Sequence, residues 1–116
     1  MAYDELFADR VANTLTGLGA TYDTRKMMGG LVFMVRGNMC VGVATDKETG
    51  EHRLMARIGR AAEEATRSRP GQREMAFTGR KMKDFVFVYP EGTDREEDLT
   101  FWVQSALDFV AELPPK

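Results

Sequence analysis

Two short clusters of lysine and arginine each stand directly before an apolar run that is typical of a strand. The first cluster is Arg25-Lys26-Met27-Met28-Gly29-Gly30, and the second is Gly79-Arg80-Lys81-Met82-Lys83. Fixed positive charge at the start of a strand can bind an anion or the acidic surface of a protein. The sequence therefore predicts a partner-binding or ligand-binding site formed by Arg25, Lys26, Met27, Gly29, Gly30, Arg57, Arg80, Lys81 and Lys83.

The two clusters form one site if the strands that follow them are neighbours starting at the same end of a sheet. The alternative is that these cations are solvated and pair with the acidic last part of the chain. Residues 53–83 hold nine Lys and Arg against three Glu, a sum of +6, and residues 84–116 hold eight acids against two cations, a sum of −6. Because the formal net charge is −2, direct nucleic-acid binding through phosphate neutralisation is not expected.

Side chains that could support catalysis or bind a metal are few. Cys40 and His52 are the only cysteine and histidine, and neither belongs to a pair with metal-ligand spacing. Gly29-Gly30 is followed by a strand rather than by the helix of a phosphate-binding loop. Cys40 is expected to be a buried thiol facing the same way as Gly42 and Ala44, and His52 an exposed turn residue. We therefore expect no enzymatic activity, no cofactor and no metal.

Hydrophobic periodicity predicts the elements that position these residues. Helices are expected over 3–18, 59–67 and 93–113, and strands over 31–36, 39–45, 53–58, 74–78 and 85–89, with 21–28 as an extended lead-in. The Gly37-Asn38 link between two apolar runs indicates a hairpin. The predicted fold is one α+β domain over 1–116 in the order α-β(3)-α-β(2)-α. It has two layers, an antiparallel five-stranded sheet with the helices mainly on one face.

The strands 31–35 and 85–89 are apolar on both of their faces, although three helices can cover only one face of the sheet. Each apolar side chain left in water forgoes roughly 1.5–3 kcal/mol. This indicates that a second subunit covers the other face, and a homodimer is the expected state. Met34, Met39 and Met75 are expected in the core, whereas Met27, Met28 and Met82 fit either packing or partner contact.

Several sequence blocks occur together in one order along nearly the whole chain. They are 25–30, Gly37-Asn38-Met39-Cys40-Val41-Gly42-Val43, Arg57-Ile58-Gly59, 75–83 and Leu113-Pro114-Pro115-Lys116. In this combination the chain resembles the TfoX N-terminal domain family. The resemblance implies a two-layer α/β domain of the order α-β(3)-α-β(2)-α, similar to YjbR-like folds. Named members of this family are bacterial regulators of natural competence, thought to act with the cyclic-AMP receptor protein rather than as enzymes.

These observations favour a non-enzymatic, cytoplasmic regulatory domain that binds a protein partner, with a role in transcriptional regulation. The alternative is a domain that binds a small anionic ligand at the same cations, and nucleic-acid binding is less favoured. The N-terminus is acidic where a secretory signal is basic and then apolar. No apolar run reaches the length of a membrane span, and a single cysteine fits a reducing compartment.

Overall fold

The computed structural model describes residues 3–27, 29–77 and 79–116, and the side chains of Phe77, Arg80, Lys81 and Lys83 lie outside that description. The helices are α1 (Glu5–Gly17), α2 (Arg60–Ala65) and α3 (Glu96–Ala111), with a short 3-10 helix at Pro90–Gly92. The strands are β1 (Asp23–Met27), β2 (Gly30–Val35), β3 (Asn38–Thr45), β4 (His52–Arg57), β5 (Gln72–Phe77) and β6 (Arg80–Val88).

All the strands form one antiparallel sheet in the order β1-β2-β3-β4-β6-β5. The predicted antiparallel α+β architecture is confirmed, but the sheet has six strands rather than five. The additional strand is β1, which lies within the lead-in 21–28 and pairs with β2. All five of its residues are exposed, so it lacks the alternation of apolar and polar residues that marks a half-buried strand. The element order is therefore α-β(4)-α-β(2)-α.

The helix-side core lies between one face of the sheet and the helices α1 and α3. The Asp4 carboxylate begins α1 by accepting a hydrogen bond of 2.9 Å from the Phe7 amide, as an N-cap residue does. The helix predicted over 93–113 is confirmed as α3, and its apolar stripe is buried, because Leu99, Trp102, Val103, Ala106 and Val110 are at most 1% exposed. These side chains pack with residues of α1 such as Val11 and Leu15.

The second face, which is the sheet face turned away from α1 and α3, carries its own buried cluster. Val32 and Met34 of β2, Met55 of β4, Met75 of β5 and Phe85 of β6 are between 1% and 8% exposed. β5 reaches this cluster because the β5–β6 pairing shifts register between Glu74 and Ala76, and such irregularities bend a hairpin. The chain therefore covers its second face itself, and the argument for a homodimer from a bare apolar face is wrong.

The methionines of this cluster have the role expected for core methionines. Met34 and Met75 are buried, and Met39 and Met82 are partly buried and pack against the same cluster. Met27, by contrast, is 37% exposed at the end of β1, and Met28 lies outside the described residues. A flexible, unbranched side chain fills an irregular space between a curved hairpin and a sheet well.

The predicted hairpin between β2 and β3 is confirmed, but its two turn residues are Arg36 and Gly37, because Asn38 begins β3 and pairs with Val35. Arg36 and Gly37 both have positive φ, at 55° and 80°, which is the combination that a tight two-residue hairpin turn requires. The turn also binds the C-terminal segment, because the Asn38 side chain donates to the Pro114 carbonyl at 3.0 Å and the Lys116 amide donates to the Arg36 carbonyl at 2.9 Å.

Cys40 is a buried thiol as predicted, but it does not face the same way as Gly42. The β2–β3 pairing matches Phe33 with Val41 and Met34 with Met39, so Cys40 is an extra residue in a β-bulge. The bulge places Cys40 and Val41 together in the helix-side core, whereas Gly42 lies against Met55 and Val32 on the second face. A one-residue insertion reverses the alternation of the strand, and the spacing of residues alone does not reveal it.

We expect native Cys40 to be almost inert toward a thiol reagent such as DTNB. Its burial raises the pKa of the thiol from 9.0 to about 12, although the nearby positive charge of Arg57 lowers it slightly. Since only the thiolate reacts, the reactive fraction at pH 8 falls on the order of 1000-fold. The rate of reaction before and after unfolding in guanidinium chloride checks this, and equal rates in the two states would contradict it.

Candidate functional site

The two predicted cation clusters do not begin neighbouring strands. β2 and β6 are separated by β3 and β4 and run in opposite directions, so their first residues enter the sheet from opposite ends. The condition for a single site, two neighbouring strands that start at the same end of the sheet, is therefore not met. The side chains of Arg80, Lys81 and Lys83 lie outside the described residues, although their backbone belongs to β6.

A groove on the second face nevertheless joins elements of both clusters. Gly29, in the turn between β1 and β2, lies on one side of it, and Ala76, which pairs with Lys81, lies on the other. The groove has a volume of about 550 Å³. Its lining consists of Gly29, Thr45, Asp46, Lys47, Glu48, Arg53, Met55, Met75, Ala76 and Phe87. It is a mainly apolar floor with charged side chains along one rim.

Arg53 is the most constrained charged residue of the groove. Its guanidinium carbon lies 3.7 Å from the centre of the Phe87 ring, a stacked arrangement that favours a cation. One of its terminal nitrogens donates to the Tyr89 hydroxyl at 2.8 Å and lies 3.5 Å from an Asp46 carboxylate oxygen. Its Nε is buried and has no hydrogen-bond partner among the described residues. Arg53 thus contacts Phe87, Tyr89 and Asp46, and its buried Nε–H is unused within the described residues.

Tyr89 and Asp46 complete this network. The Tyr89 hydroxyl donates to Asp46 at 2.5 Å. This hydrogen bond is the main reason why the pKa of Asp46 lies below its usual 3.8, and bonds from nearby amides and the charge of Arg53 act in the same direction. Burial, and then the bond to Asp46, raises the pKa of Tyr89 above its usual 10.0, which Arg53 partly opposes. Asp46 therefore stays ionised and Tyr89 stays protonated over a wide pH range.

The raised pKa of Tyr89 predicts a dependence of stability on high pH. A raised folded-state pKa gives stability that is fully present below about pH 10 and is lost as the pH rises through the folded-state value. We expect Tyr89→Phe to reduce this alkaline loss, measured as the free energy of unfolding in urea from about pH 8 to about pH 11.

A second variant, Asp46→Asn, checks the cause of this shift. It should move the pKa of Tyr89 part of the way back toward its ordinary value, because burial remains. The phenolate absorbance in the near ultraviolet measures this titration. An unchanged Tyr89 titration in Asp46→Asn would show that the carboxylate does not contribute.

The other predicted site residues lie around the groove rather than inside it. Arg25, Lys26 and Met27 are on β1, where Arg25 pairs with Val32 and Lys26 pairs with Leu31. Consecutive residues of a strand point to opposite faces, so Arg25 faces the second face and Lys26 the helix side. Gly30 begins β2 with no room for a side chain, since an added Cβ would lie 2.1 Å from the Val43 carbonyl oxygen.

Arg57 lies beyond Met55 on the second face, at the far end from the groove. Its guanidinium carbon is 5.4 Å from the Phe85 ring, and it donates a long hydrogen bond of 3.5 Å to the Met39 carbonyl. Arg53 and Arg57 alternate along β4 with Leu54 and Ala56, which lie in the helix-side core. The site predicted from the sequence included Arg57 but not Arg53, although two arginines on one face of a strand were the available signal.

His52 is not the exposed turn residue that was expected. It is the first residue of β4, its ring is stacked at 4.4 Å on Phe7, and its Nδ1 lies 4.0 Å from the Asp4 carboxylate. In the described residues, no three His, Cys, Asp or Glu side chains come together as a metal site. Within the same residues, no helix has both the length and the apolar character needed to cross a membrane.

The alternative interpretation of the cations, pairing with the acidic last helix, is true of other arginines. Arg10 of α1 pairs with Glu96 at 2.9 Å, and Arg69 pairs with Asp98 at 3.6 Å. Both pairs are partly exposed and contribute little stability individually. They position α3 against α1 and against the segment after α2.

The sequence model of the TfoX N-terminal domain matches residues 13–110. The chain belongs to the TfoX N-terminal domain family. None of the curated proteins compared with the chain matches it significantly. The matched span begins in the second half of α1 and ends one residue before the last residue of α3. All six strands and the whole groove therefore lie inside this TfoX N-terminal domain.

Membership in the TfoX N-terminal domain family confirms the resemblance found in the sequence. The turn that contains Gly29 and the β5–β6 hairpin belong to two of the sequence blocks that carried the resemblance. In this TfoX N-terminal domain both blocks contribute to the groove through Gly29, Met75 and Ala76. The groove is therefore the candidate functional site.

Proposed function

We propose that this domain is a non-enzymatic regulatory module of the cytoplasm that binds a protein partner in the groove between the β1–β2 turn and the β5–β6 hairpin. The observation that carries the proposal is the groove of about 550 Å³ with Met55, Met75 and Phe87 in its lining. Methionine and aromatic side chains form adaptable apolar surfaces that accept the side chains of a partner protein. Membership in a family whose members regulate competence supports a regulatory role.

The charges at the rim define the type of segment that fits. Lys47 and Arg53 lie with Asp46 and Glu48 on one side of the groove. These are two cations and two acids, and Arg53 lies 3.5 Å from the Asp46 carboxylate, so the rim carries charges of both signs. A segment with one or two large apolar side chains and polar flanks fits this arrangement. Apolar anchors of this kind provide most of the binding energy in protein interfaces.

Substitution of Ala76 tests the groove without changing the core. Ala76 is exposed and lines the groove, so Ala76→Arg places a long side chain across it. The matched control is Ala65→Arg, at an exposed alanine of α2. In affinity capture from the source cell with chemical cross-linking, wild type and Ala65→Arg should retain the same partner, and Ala76→Arg should lose it. If Ala76→Arg is folded and retains every captured protein, the groove is not the binding site.

A small anionic ligand is the second candidate, and the unused Arg53 Nε favours it. A phosphate or carboxylate that displaces the side chains covering this donor would accept a charge-assisted hydrogen bond from it, a bond of the stronger kind. A panel of phosphorylated metabolites should then raise the melting temperature of wild type but not of Arg53→Met. The absence of any shift in wild type would count against this candidate.

A further inference from the structure

β1 is a regular edge strand that remains open along its outer side. It pairs with β2 only, and without any register shift. The opposite edge strand, β5, is interrupted by the register shift between Glu74 and Ala76, which is a common way of protecting an edge. An uninterrupted edge with unpaired backbone groups is a template for another strand. The side chains of β1 determine which strand can pair with this edge.

The charges of β1 limit the ways in which two copies can pair. In a symmetric antiparallel pair, the two-fold axis passes through a pair of identical residues, and the residues before it face those after it. Registers centred on Asp23, Arg25 or Lys26 place two identical charges directly opposite each other, which is unfavourable. A register centred on Met27 pairs only the ends of the strands.

The register centred on Thr24 has the opposite property. It places Asp23 of each copy opposite Arg25 of the other, so that two oppositely charged pairs flank a central Thr24–Thr24 pair. Asp23 and Arg25 are both exposed and lie on the same face of the sheet, so the side chains can meet. Opposite charges directly across an antiparallel pair are stabilising. The strand is therefore complementary to itself in one register.

The geometry points to a homodimer in which the β1 strands of two copies pair in the Thr24-centred register and join their sheets into one. This inference goes beyond the proposed partner binding and stands without it. The two-fold axis is perpendicular to the sheet, so the second faces of both copies point the same way. Two grooves then lie on one side of a continuous sheet, where a partner with two binding segments can occupy both.

Exchange of charges between two variants tests the register. Asp23→Arg places arginine opposite arginine, and Arg25→Asp places aspartate opposite aspartate, so each variant alone should be a monomer of 13.0 kDa. An equimolar mixture should recover the dimer, because Arg at position 23 then faces Asp at position 25 and Arg25 faces Asp23. Sedimentation velocity over a concentration series that extends to millimolar protein measures the mass.

Three outcomes would overturn the inference. They are a monomeric wild type throughout the series, dimers of both single variants that are as stable as wild type, and failure of the folded variants to associate when mixed. Circular dichroism of each variant verifies the fold, and recovery in the mixture itself shows that neither variant is misfolded.

A cysteine at the symmetry axis provides an independent check. Thr24→Cys should form a disulfide-linked or short-maleimide-linked dimer, because position 24 faces its own copy. Ser68→Cys, at another exposed position, is the control and should cross-link far less at the same concentration. Native Cys40 does not interfere, since it is fully buried. Equal cross-linking at positions 24 and 68 would contradict the inference.

The outcome for the dimer can be separated from the outcome for the groove. Ala76→Arg changes the groove and leaves β1 intact, so it should lose the partner and keep the dimer. Arg25→Asp changes the edge, so it should lose the dimer whether or not a partner binds. A wild type that dimerises but captures no partner would support the edge pairing and contradict only the proposed function.

Discussion

Replacing Met75 with alanine is expected to lower the free energy of unfolding by about 2–5 kcal/mol, the usual range for a buried methionine. Met75 is 1% exposed and packs with Val32, Met55 and Phe85 on the second face. It comes from β5, whereas Val32 and Met55 belong to β2 and β4, so the truncation removes contacts between the hairpin and the rest of the sheet. Urea denaturation followed by tryptophan fluorescence measures the change.

Met27→Ala is the matched control for this experiment. Met27 is 37% exposed at the end of β1, and a change at an exposed position usually stays within about 0.5 kcal/mol. A large difference between the two variants would show that the second face is part of the core of a single chain. If Met75→Ala cost no more than Met27→Ala, the hairpin would not be covering that face in solution.

Burial of the second face within one chain means that the apolar residues of β2 and β6 do not require a second subunit. Alternation predicted correctly that β2 and β6 carry apolar side chains on both faces and that the face without helices needs a cover, which is the face of Val32, Met34 and Phe85. It could not supply the identity of the cover, because the bend of the β5–β6 hairpin arises from a register shift between Glu74 and Ala76. Register depends on pairing between distant strands, and a local pattern does not contain it.

Helices were the most predictable part of the fold. The spacing of Leu99, Trp102 and Val110 in α3 gave the buried face directly, because an apolar stripe with helical period has one interpretation. β1 is the opposite case. Four of its five residues are polar and all five are exposed, so its strand conformation comes from hydrogen bonds to β2 rather than from burial. A prediction based on the burial pattern therefore assigns residues 21–28 to an extended lead-in and not to a strand.

The candidate site was also predictable only in part, because its local sequence clusters are visible in the sequence and its strand order is not. The repeated cation clusters indicated the β1–β2 turn and the β5–β6 hairpin, and both contribute to the groove. The assumed route, through neighbouring strands, was wrong because β3 and β4 lie between β2 and β6. Arg53 and Phe87 entered the site through stacking across β4 and β6. Such contacts follow from the strand order, which one sequence does not specify.

The β1–β2 turn gives the second large prediction, for Gly30→Ala. An added Cβ would lie 2.1 Å from the backbone oxygen of Val43 and 3.1 Å from the Cβ of Ala44. The oxygen belongs to β3, which pairs with β2, so it cannot move away without disturbing that pairing. Overpacking in a closely packed region typically costs 1–3 kcal/mol, and we expect a loss of about 3 kcal/mol here because the contact is with backbone.

Gly17→Ala is the control, since it makes the same chemical change where there is room. Nothing lies within 4 Å of an added Cβ at Gly17, the exposed last residue of α1. That variant should be stabilised by up to about 1 kcal/mol, because alanine favours a helix over glycine. Urea denaturation of both variants should therefore give changes of opposite sign. If Gly30→Ala were as stable as wild type, β2 and β3 would not approach each other as closely as the structure shows.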